Sequence, residues 1–304
     1  MNFVDLFCGI GGFRLALEAR GHQCVFSCEI DENARESYNA NFGELPAGDI
    51  RSVEDHQIPK HDILCAGFPC QSFSLAGKLG GFSDDRGTLF FEILRFIKIG
   101  KPSIVLLENV PNILSIDEGR VVGKICRSIE DLGYRLDYSI LNASHFGIPQ
   151  SRRRVYFVGL KDGDYTPPSP THEQICVGDI MEDSVEDNLF VSDKYTPIWT
   201  GTEPMYNMHR PVKLGYYHRE AQGQRIYSVL GHAVTQSALG GGRGAKTGLY
   251  KVDGGVRRLS LLEGKRVMGF PDHWNVGVRD RGRTQLGNAI IPAMVGHVFD
   301  GIKN

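Results

Sequence analysis

The chain has 304 residues, 41% of them apolar, and a formal net charge of −2, enough for a large globular domain carrying a smaller one and too apolar for disorder. No apolar run approaches the roughly 18 residues of a membrane span, and the N-terminus "MNFVDLFCGIGGF" has neither a basic region nor a cleavage-like site, so a cytoplasmic protein is expected. Seven cysteines (Cys8, Cys24, Cys28, Cys65, Cys70, Cys126 and Cys176), odd in number, without a C-x-x-C pair or a histidine cluster at zinc spacing, argue against a disulfide framework and against a metal centre.

Short apolar runs alternate with amphipathic stretches from residue 2 to about 160. "NFVDLF" reads as a buried strand, "GFRLALEARG" as a helix ending at Gly21, and "QCVFSCEI" as a second strand. A helix opened by Asp31 follows, then the strand "DILCAG", the helix "TLFFEILRFIKIG" and the strand "SIVLLENV". After a helix near Val121 to Leu132 come "YRLDYSILNAS" and "RRRVYFVGL", with too little chain between them for a crossover helix. The pattern predicts an α/β fold, a doubly wound and mostly parallel sheet with an antiparallel end.

Beyond Leu160 the character changes. "KDGDYTPPSPTHEQ" is rich in Pro and polar residues, which puts a boundary within 161–178, and the following stretch reads as a small loop-rich domain. The predicted organisation is a first domain over 1–177, a second over 178–259, and a hinge with a C-terminal helix over 260–304 that returns to the first. Basic clusters stand out against the near-neutral total: Arg152 to Arg154, Arg257-Arg258, Lys265-Arg266, and Arg279 to Arg283.

Gly9, Gly11 and Gly12 follow the first strand, and Glu29 ends the second. Such a loop lets backbone approach a ligand while a carboxylate takes ribose hydroxyls. The third glycine of a dinucleotide fingerprint is replaced by Arg14, which favours a phosphate-free adenosine ligand over a diphosphate. Cys70, in "GFPCQSFS", follows the carboxyl end of a strand, where open α/β sheets place ligands. Glu108 ends a second strand in "LLENV"; the lesser local alternative is a carboxylate that caps the next helix. A thiol and a carboxyl at adjacent strand ends suit nucleophilic attack on an electron-poor ring with protonation of that ring. In "QSRRRVYFVG", Arg152 and Arg154 are expected on one side of a strand with Arg153 opposite.

Together these segments resemble the DNA cytosine-5 methyltransferases, in the family's order and over nearly the whole chain: "DLFCGIGG", "GFPCQSFS", "ENV", "QSRRR", "RRLSLLEGKRVMGFPD" and "QLGNAIIPAMV". The resemblance implies a Rossmann-like, S-adenosylmethionine-dependent sheet with a smaller target-recognition domain. It implies Cys70 as the thiolate that adds to cytosine C6, Glu108 acting at N3, Arg152 on the O2 side and Arg154 in support. It implies a cofactor pocket of Phe7, Gly9, Gly11, Gly12, Glu29, Ile30, Asp49, Ile50, Pro69, Leu89 and Asn288. The substrate implied is double-stranded DNA with its target base flipped, and the segment "SLAGKLGGFSDDRGT" is expected to close over it.

"QGQRIYS" and "GGGRGAKTGLY" are similar to segments of small bacterial enzymes that modify GCGC. DNA recognition is accordingly expected from Gln222, Arg225, Thr235 and Gly241, in a monomer with a possible cognate restriction endonuclease acting on the same site. Two departures stand out. The pair usually written Thr-Leu is Thr235-Gln236, which bears on specificity, and Leu262 stands where proline is usual. Rival readings are an RNA cytosine-5 methyltransferase, disfavoured by the sizeable second domain; a nicotinamide oxidoreductase, which has no use for Cys70, Glu108 and the arginines together; and a non-catalytic relative.

Overall fold

The computed structural model of the chain describes residues 1–69, 88–171, 173 and 175–303, the side chain of Thr88 aside. The chain divides into two compact units. The first takes Met1–Leu141, Arg153–Ser169 and the stretch from Pro292 onward; the second takes Asn142–Arg152 and Pro170–Ile291.

The first unit is built on a six-stranded sheet, order β2-β1-β3-β4-β6-β5. Its strands are β1 (Asn2–Leu6), β2 (Gln23–Cys28), β3 (Ile63–Gly67), β4 (Ile104–Asn109), β5 (Arg135–Asn142) and β6 (Arg153–Leu160). The pairs β1/β2, β1/β3 and β3/β4 are parallel, and β4/β6 is antiparallel. The expected parallel sheet with an antiparallel end is therefore what forms. Because the chain runs from β1 out to β2 and returns to β3 on the other side of β1, the strand order reverses at β1, the place where such sheets bind ligands. Leu6, Cys28, Gly67 and Glu108 share one edge: Leu6 pairs with Cys28 and with Ala66, and Gly67 pairs with Glu108.

Helices form where the apolar spacing requires them. In α3 (Thr88–Gly100), Phe90, Ile93, Phe96 and Ile97 are all at most 3% exposed and pack with Val4, Leu64, Val105 and Phe157 of the sheet. Each such side chain contributes about 1.5–3 kcal/mol by leaving water. In α4 (Arg120–Glu130), Val121, Ile125 and Ile129 join the same core. The helix α2 (Glu32–Phe42) begins where Asp31 accepts a hydrogen bond from the Ala34 amide at 2.9 Å and stops at Gly43, whose φ is +69°. The short α1 (Gly12–Glu18) packs against α7 (Pro292–Asp300), a contact closed by Arg20, which donates to both carboxylate oxygens of Asp300. Two-residue strands β7 (Asp164–Tyr165) and β13 (Ile302–Lys303) pair beside it.

The second unit contains a five-stranded sheet that its loop-rich sequence conceals, order β12-β11-β10-β9-β8. The strands are β8 (Pro197–Trp199), β9 (Lys213–Tyr217), β10 (Arg225–Ser228), β11 (Leu249–Val252) and β12 (Gly255–Arg257). Its core holds Tyr227, Ala233, Tyr250, Leu259 and Val267. The helix α5 (Leu261–Val267) starts in a capping box of Ser260 and Glu263, and Glu263, fully buried, takes two bonds of 2.8 and 2.7 Å from Arg257. A longer helix, α6 (Arg279–Asn288), follows.

The unit boundaries differ from those drawn on the sequence. Residues 260–291 stay with the second unit, and only the stretch from Pro292 returns to the first. Asn142–Arg152 also belongs to the second unit, because Ser151 donates to Ala233 O and Gln236 donates to Gln150 Oε1. Among the described residues no helix is long and apolar enough to cross a membrane.

Candidate functional site

The loop after β1 turns sharply. Phe7 has φ +57°, Gly9 +55° and Gly11 +89°, and the Cys8 amide donates to Cys28 O at 3.0 Å, fastening the loop to the end of β2. Gly11 cannot carry a side chain, since a Cβ there would meet the Phe42 ring at 2.3 Å; Gly9 instead faces open space, with no atom within 4 Å of an added Cβ. Glu29, just past β2, accepts from the Gly9 amide through Oε2 and from the Asp31 amide through Oε1, both at 2.9 Å. Burial raises its carboxyl above the usual range while those two amides oppose the rise. Each oxygen keeps a lone pair for a hydroxyl donor.

Arg14 explains why the loop does not suit a diphosphate. Only 9% exposed, it fills the space behind the loop with bonds to Glu18, Tyr38 and Glu44 and lies 4.4 Å from the centre of the Phe42 ring. The Gly9 amide that a phosphate would want is held by Glu29. Ile30, next to Glu29, leaves an apolar side chain 64% exposed. An adenosine ligand fits this set: an open glycine, an oriented carboxylate and an uncovered aliphatic surface.

The other pocket residues separate. Asp49, a quarter exposed, is bound to the Arg51 guanidinium, which holds its carboxyl below the usual range, yet it stands two residues past Ala47, which bridges to Cys28. Ile50 is 3% exposed and belongs to the core, and Leu89 packs partly buried against that core. Pro69 is exposed after β3. Asn288 is exposed at the end of α6, in the second unit.

At the end of β4, Glu108 is 8% exposed and forms an ion pair with Arg154 of β6, Oε1 to Nε 2.9 Å. Asn109 follows and was not singled out from the sequence. Its Nδ2 donates to Phe68 O at 2.8 Å, fixing the exit of β3, and its Oδ1 accepts from the Val110 amide. The signal was the motif "ENV" itself, whose second residue has this job. Cys70, and the whole of "SLAGKLGGFSDDRGT" to Gly87, lie outside the described residues; Gly67, three residues before Cys70, pairs with Glu108.

Arg152 stands apart from Arg154. It lies one residue before β6 and is buried in the second unit, while Arg153 beside it is exposed, as alternation along an extended chain has it. Its guanidinium donates to Gln236 O (3.0 Å), Gly287 O (3.1 Å) and Ala289 O (2.9 Å). Arg154 places a guanidinium on Glu108.

In the second unit, the turn Gln222–Gln224 and the loop 240–244 touch backbone to backbone. A Cβ on Gly223 would meet Gly241 O at 1.8 Å, and the Gly244 amide donates to Gly223 O at 2.8 Å, so glycine is needed on both sides. These loops line a cavity of about 430 Å³ together with Thr235 and Lys246. Gln222 is exposed at its rim. Arg225 begins β10 with its Nε in a long ion pair with Glu220 at 3.8 Å and without a hydrogen bond among the described residues. Thr235 donates its hydroxyl to Ser151 O at 2.5 Å, a fastening to the chain before β6.

The departure at Gln236 also has a structural reading. Gln236 is 2% exposed, and its Nε2 donates to Gly264 O at 3.3 Å, away from open solvent. Leu262 lies in the first turn of α5, where amides lack intrahelical partners, so proline and leucine serve equally there. Asp5, in the middle of β1, was not singled out either. It is fully buried, its carboxylate oxygens make no hydrogen bond of good geometry among the described residues, and burial raises its carboxyl to about 8, with the charge and backbone amide of Arg14 opposing. A charged residue inside the apolar run "NFVDLF" was the available sign.

Comparison with known proteins gives a consistent result. The profile of the family described as C-5 cytosine-specific DNA methylase matches residues 1–304. The chain is 43% identical over 296 residues to the type II methyltransferase M.HhaI of Haemophilus parahaemolyticus, covering 96% of this chain and 90% of that one. It is 35% identical to the type II methyltransferase M.DsaV of Dactylococcopsis salina, covering 95% and 82%. Among solved structures, the Dnmt2 methyltransferase of S. pombe superposes with a TM-score of 0.76 at 21% identity, covering 98% of this chain and 97% of that one.

Proposed function

The chain belongs to the C-5 cytosine-specific DNA methylase family, and from that premise we propose which residues carry its chemistry and what sequence it reads. It is a DNA (cytosine-5-)-methyltransferase of the type II restriction-modification kind, acting on double-stranded DNA with S-adenosylmethionine as methyl donor. S-adenosylmethionine supplies an electrophilic methyl, which C5 of cytosine accepts only once the ring has lost its aromaticity.

The residues of this chain then have the following parts. Cys70 adds as thiolate to C6, forming a carbon–sulfur bond and pushing electron density through C5 towards N3. Glu108 holds a proton at N3 and stabilises that charge. Arg154 orients the Glu108 carboxyl and offers its remaining N–H groups to the O2 side, a role first expected of Arg152. After methyl transfer a base takes the C5 proton, and elimination returns the thiolate. Glu29 binds the ribose hydroxyls, with Ile30 and Phe7 against the adenine and Gly9 giving close approach. The target nucleotide enters by flipping out of the duplex.

The observation that carries this reading is the position of Glu108, in register with Gly67 three residues before Cys70 and paired to Arg154 at 2.9 Å. In the second unit, Gln222 fills the hole left by the flipped base and Arg225 reads guanine O6 and N7, worth about 1–3 kcal/mol of discrimination. The site is GCGC with the inner cytosine methylated, and the enzyme works as a cytoplasmic monomer beside an endonuclease of the same specificity.

A duplex with 5-fluorocytosine at the target, incubated with S-adenosylmethionine, tests the chemistry. Wild type gives a denaturation-resistant adduct because fluorine cannot leave as a proton does, and Cys70→Ser gives none. Absence of the wild-type adduct defeats the mechanism. Bisulfite sequencing of DNA from an expressing cell tests the site.

A further inference from the structure

The second unit contains a larger hollow, about 960 Å³, between the turn Asp187–Leu189 and the first turns of α5 and α6. That volume is at the upper end for small-molecule sites. Its lining collects two of the basic clusters evident in the sequence, through Arg258, Arg279 and Arg283. Arg283 is only 7% exposed, its Nε has no partner, and its bonds to Asp280 Oδ1 and Leu259 O are both a long 3.4 Å. Burial and the neighbouring Arg258 pull its guanidinium below the usual range, so an anion beside it would relieve a desolvated charge. Among the described residues the side chains of Arg258 and Arg279 make no hydrogen bond or ion pair.

The backbone adds to this. Val278 stands at the N-cap of α6, where it offers no side-chain acceptor, and it is 72% exposed. Val278, Arg279 and Asp280 line the hollow, so the uncapped positive end of a ten-residue helix opens onto it. Carboxylates are present too. Glu182 is bonded to the Ser260 hydroxyl, and Glu186 to Asn188 at 2.7 Å, whereas Asp280 reaches outward with a side chain 73% exposed. The donors here are less committed than the acceptors.

We propose that this hollow is a phosphate subsite, with Arg283 as the inner donor and Arg258 and Arg279 as the outer ones. A phosphate could come from a free polyphosphate or nucleotide, or from a phosphodiester of duplex DNA. The test uses the full chain, the variants Arg258→Ala, Arg279→Ala and Arg283→Lys, and thermal unfolding to confirm that each is folded.

Calorimetry with tripolyphosphate at fixed ionic strength reads the first source. Saturable binding in wild type, weakened at least 10-fold in the variants with duplex affinity unchanged, assigns a free phosphate. Duplex titration across a salt series reads the second source. Weakening that is uniform over sequences, with the log–log salt slope shallower by about 1 for Arg258→Ala and for Arg279→Ala and unchanged for the charge-conserving Arg283→Lys, assigns a DNA phosphate. Tripolyphosphate binding that persists in all three variants, or wild-type behaviour of every variant in both titrations, overturns the proposal.

Discussion

The two arginines of "QSRRR" have different work, and Arg152→Ala separates them. In the folded chain Arg152 supplies three charge-assisted hydrogen bonds, to the carbonyls of Gln236, Gly287 and Ala289, from a side chain almost out of water. Bonds to charged groups contribute about 1.5–3 kcal/mol each, and three carbonyls left without a donor add a desolvation cost, partly offset if water enters the space. A net loss of at least about 3 kcal/mol is expected, a large share of a typical total of about 5–15. At about 2–4 °C per kcal/mol, the unfolding midpoint falls by roughly 6–12 °C. Below that midpoint, single-turnover methyl transfer stays within a few-fold of wild type. Arg154→Ala does the reverse in emphasis: it takes away the guanidinium that holds the Glu108 carboxylate, 8% exposed, and cuts the single-turnover rate on the order of 10²-fold or more. The measurements are thermal unfolding and single-turnover transfer on one duplex for both variants. An Arg152→Ala enzyme with an unchanged midpoint and a collapsed rate would refute this division and return Arg152 to the base.

Glu108→Gln binds the duplex and loses at least about 10² of the methyl-transfer rate, in rapid-quench assays, if its proton is used at N3; a wild-type rate would reassign that proton. Glu29→Ala raises the dissociation constant for S-adenosylmethionine, measured by calorimetry, with little change in duplex affinity. Gln236→Leu leaves the methylated sequence unchanged in bisulfite sequencing, because that amide bonds Gly264 O; a shifted site would place it on the DNA. Asp5 gives a pH test. With its carboxyl raised from 3.8 to about 8 in the fold, its stabilising protonation is complete below about pH 4 and is lost as pH rises through 8. The urea midpoint of Asp5→Asn relative to wild type therefore increases from about pH 4 to 8 and levels off above, and a constant difference would show that Asp5 does not titrate in that window.

Much of the first unit was legible because period and position coincide there. Strand runs such as "SIVLLENV" and the helix "TLFFEILRFIKIG" carry their own bounds, and the parallel order put Glu29 and Glu108 at one edge. The sheet of the second unit was hidden because its strands are three to five residues long and lean on glycine contacts such as Gly223 against Gly241. The part played by Arg152 was not legible either. Alternation along an extended chain fits a buried Arg152 beside an exposed Arg153, but it says nothing about which carbonyls the buried guanidinium reaches. Likewise Gln236 read as a departure in a DNA-facing pair, since only the fold shows Gly264 O within its reach.

The pairing of α1 with α7 also sets an order in time. Arg20 and Asp300 are 280 residues apart in the chain. At about 5–20 residues per second, a ribosome needs roughly 14–56 s to travel between them. Through that interval the nascent sheet has its cofactor loop but not the helix that shields α1, so α1 is exposed to proteases and chaperones until α7 has been made. Synonymous codons that slow the stretch between those two residues would lengthen that exposure and lower the yield of folded enzyme without altering a single side chain.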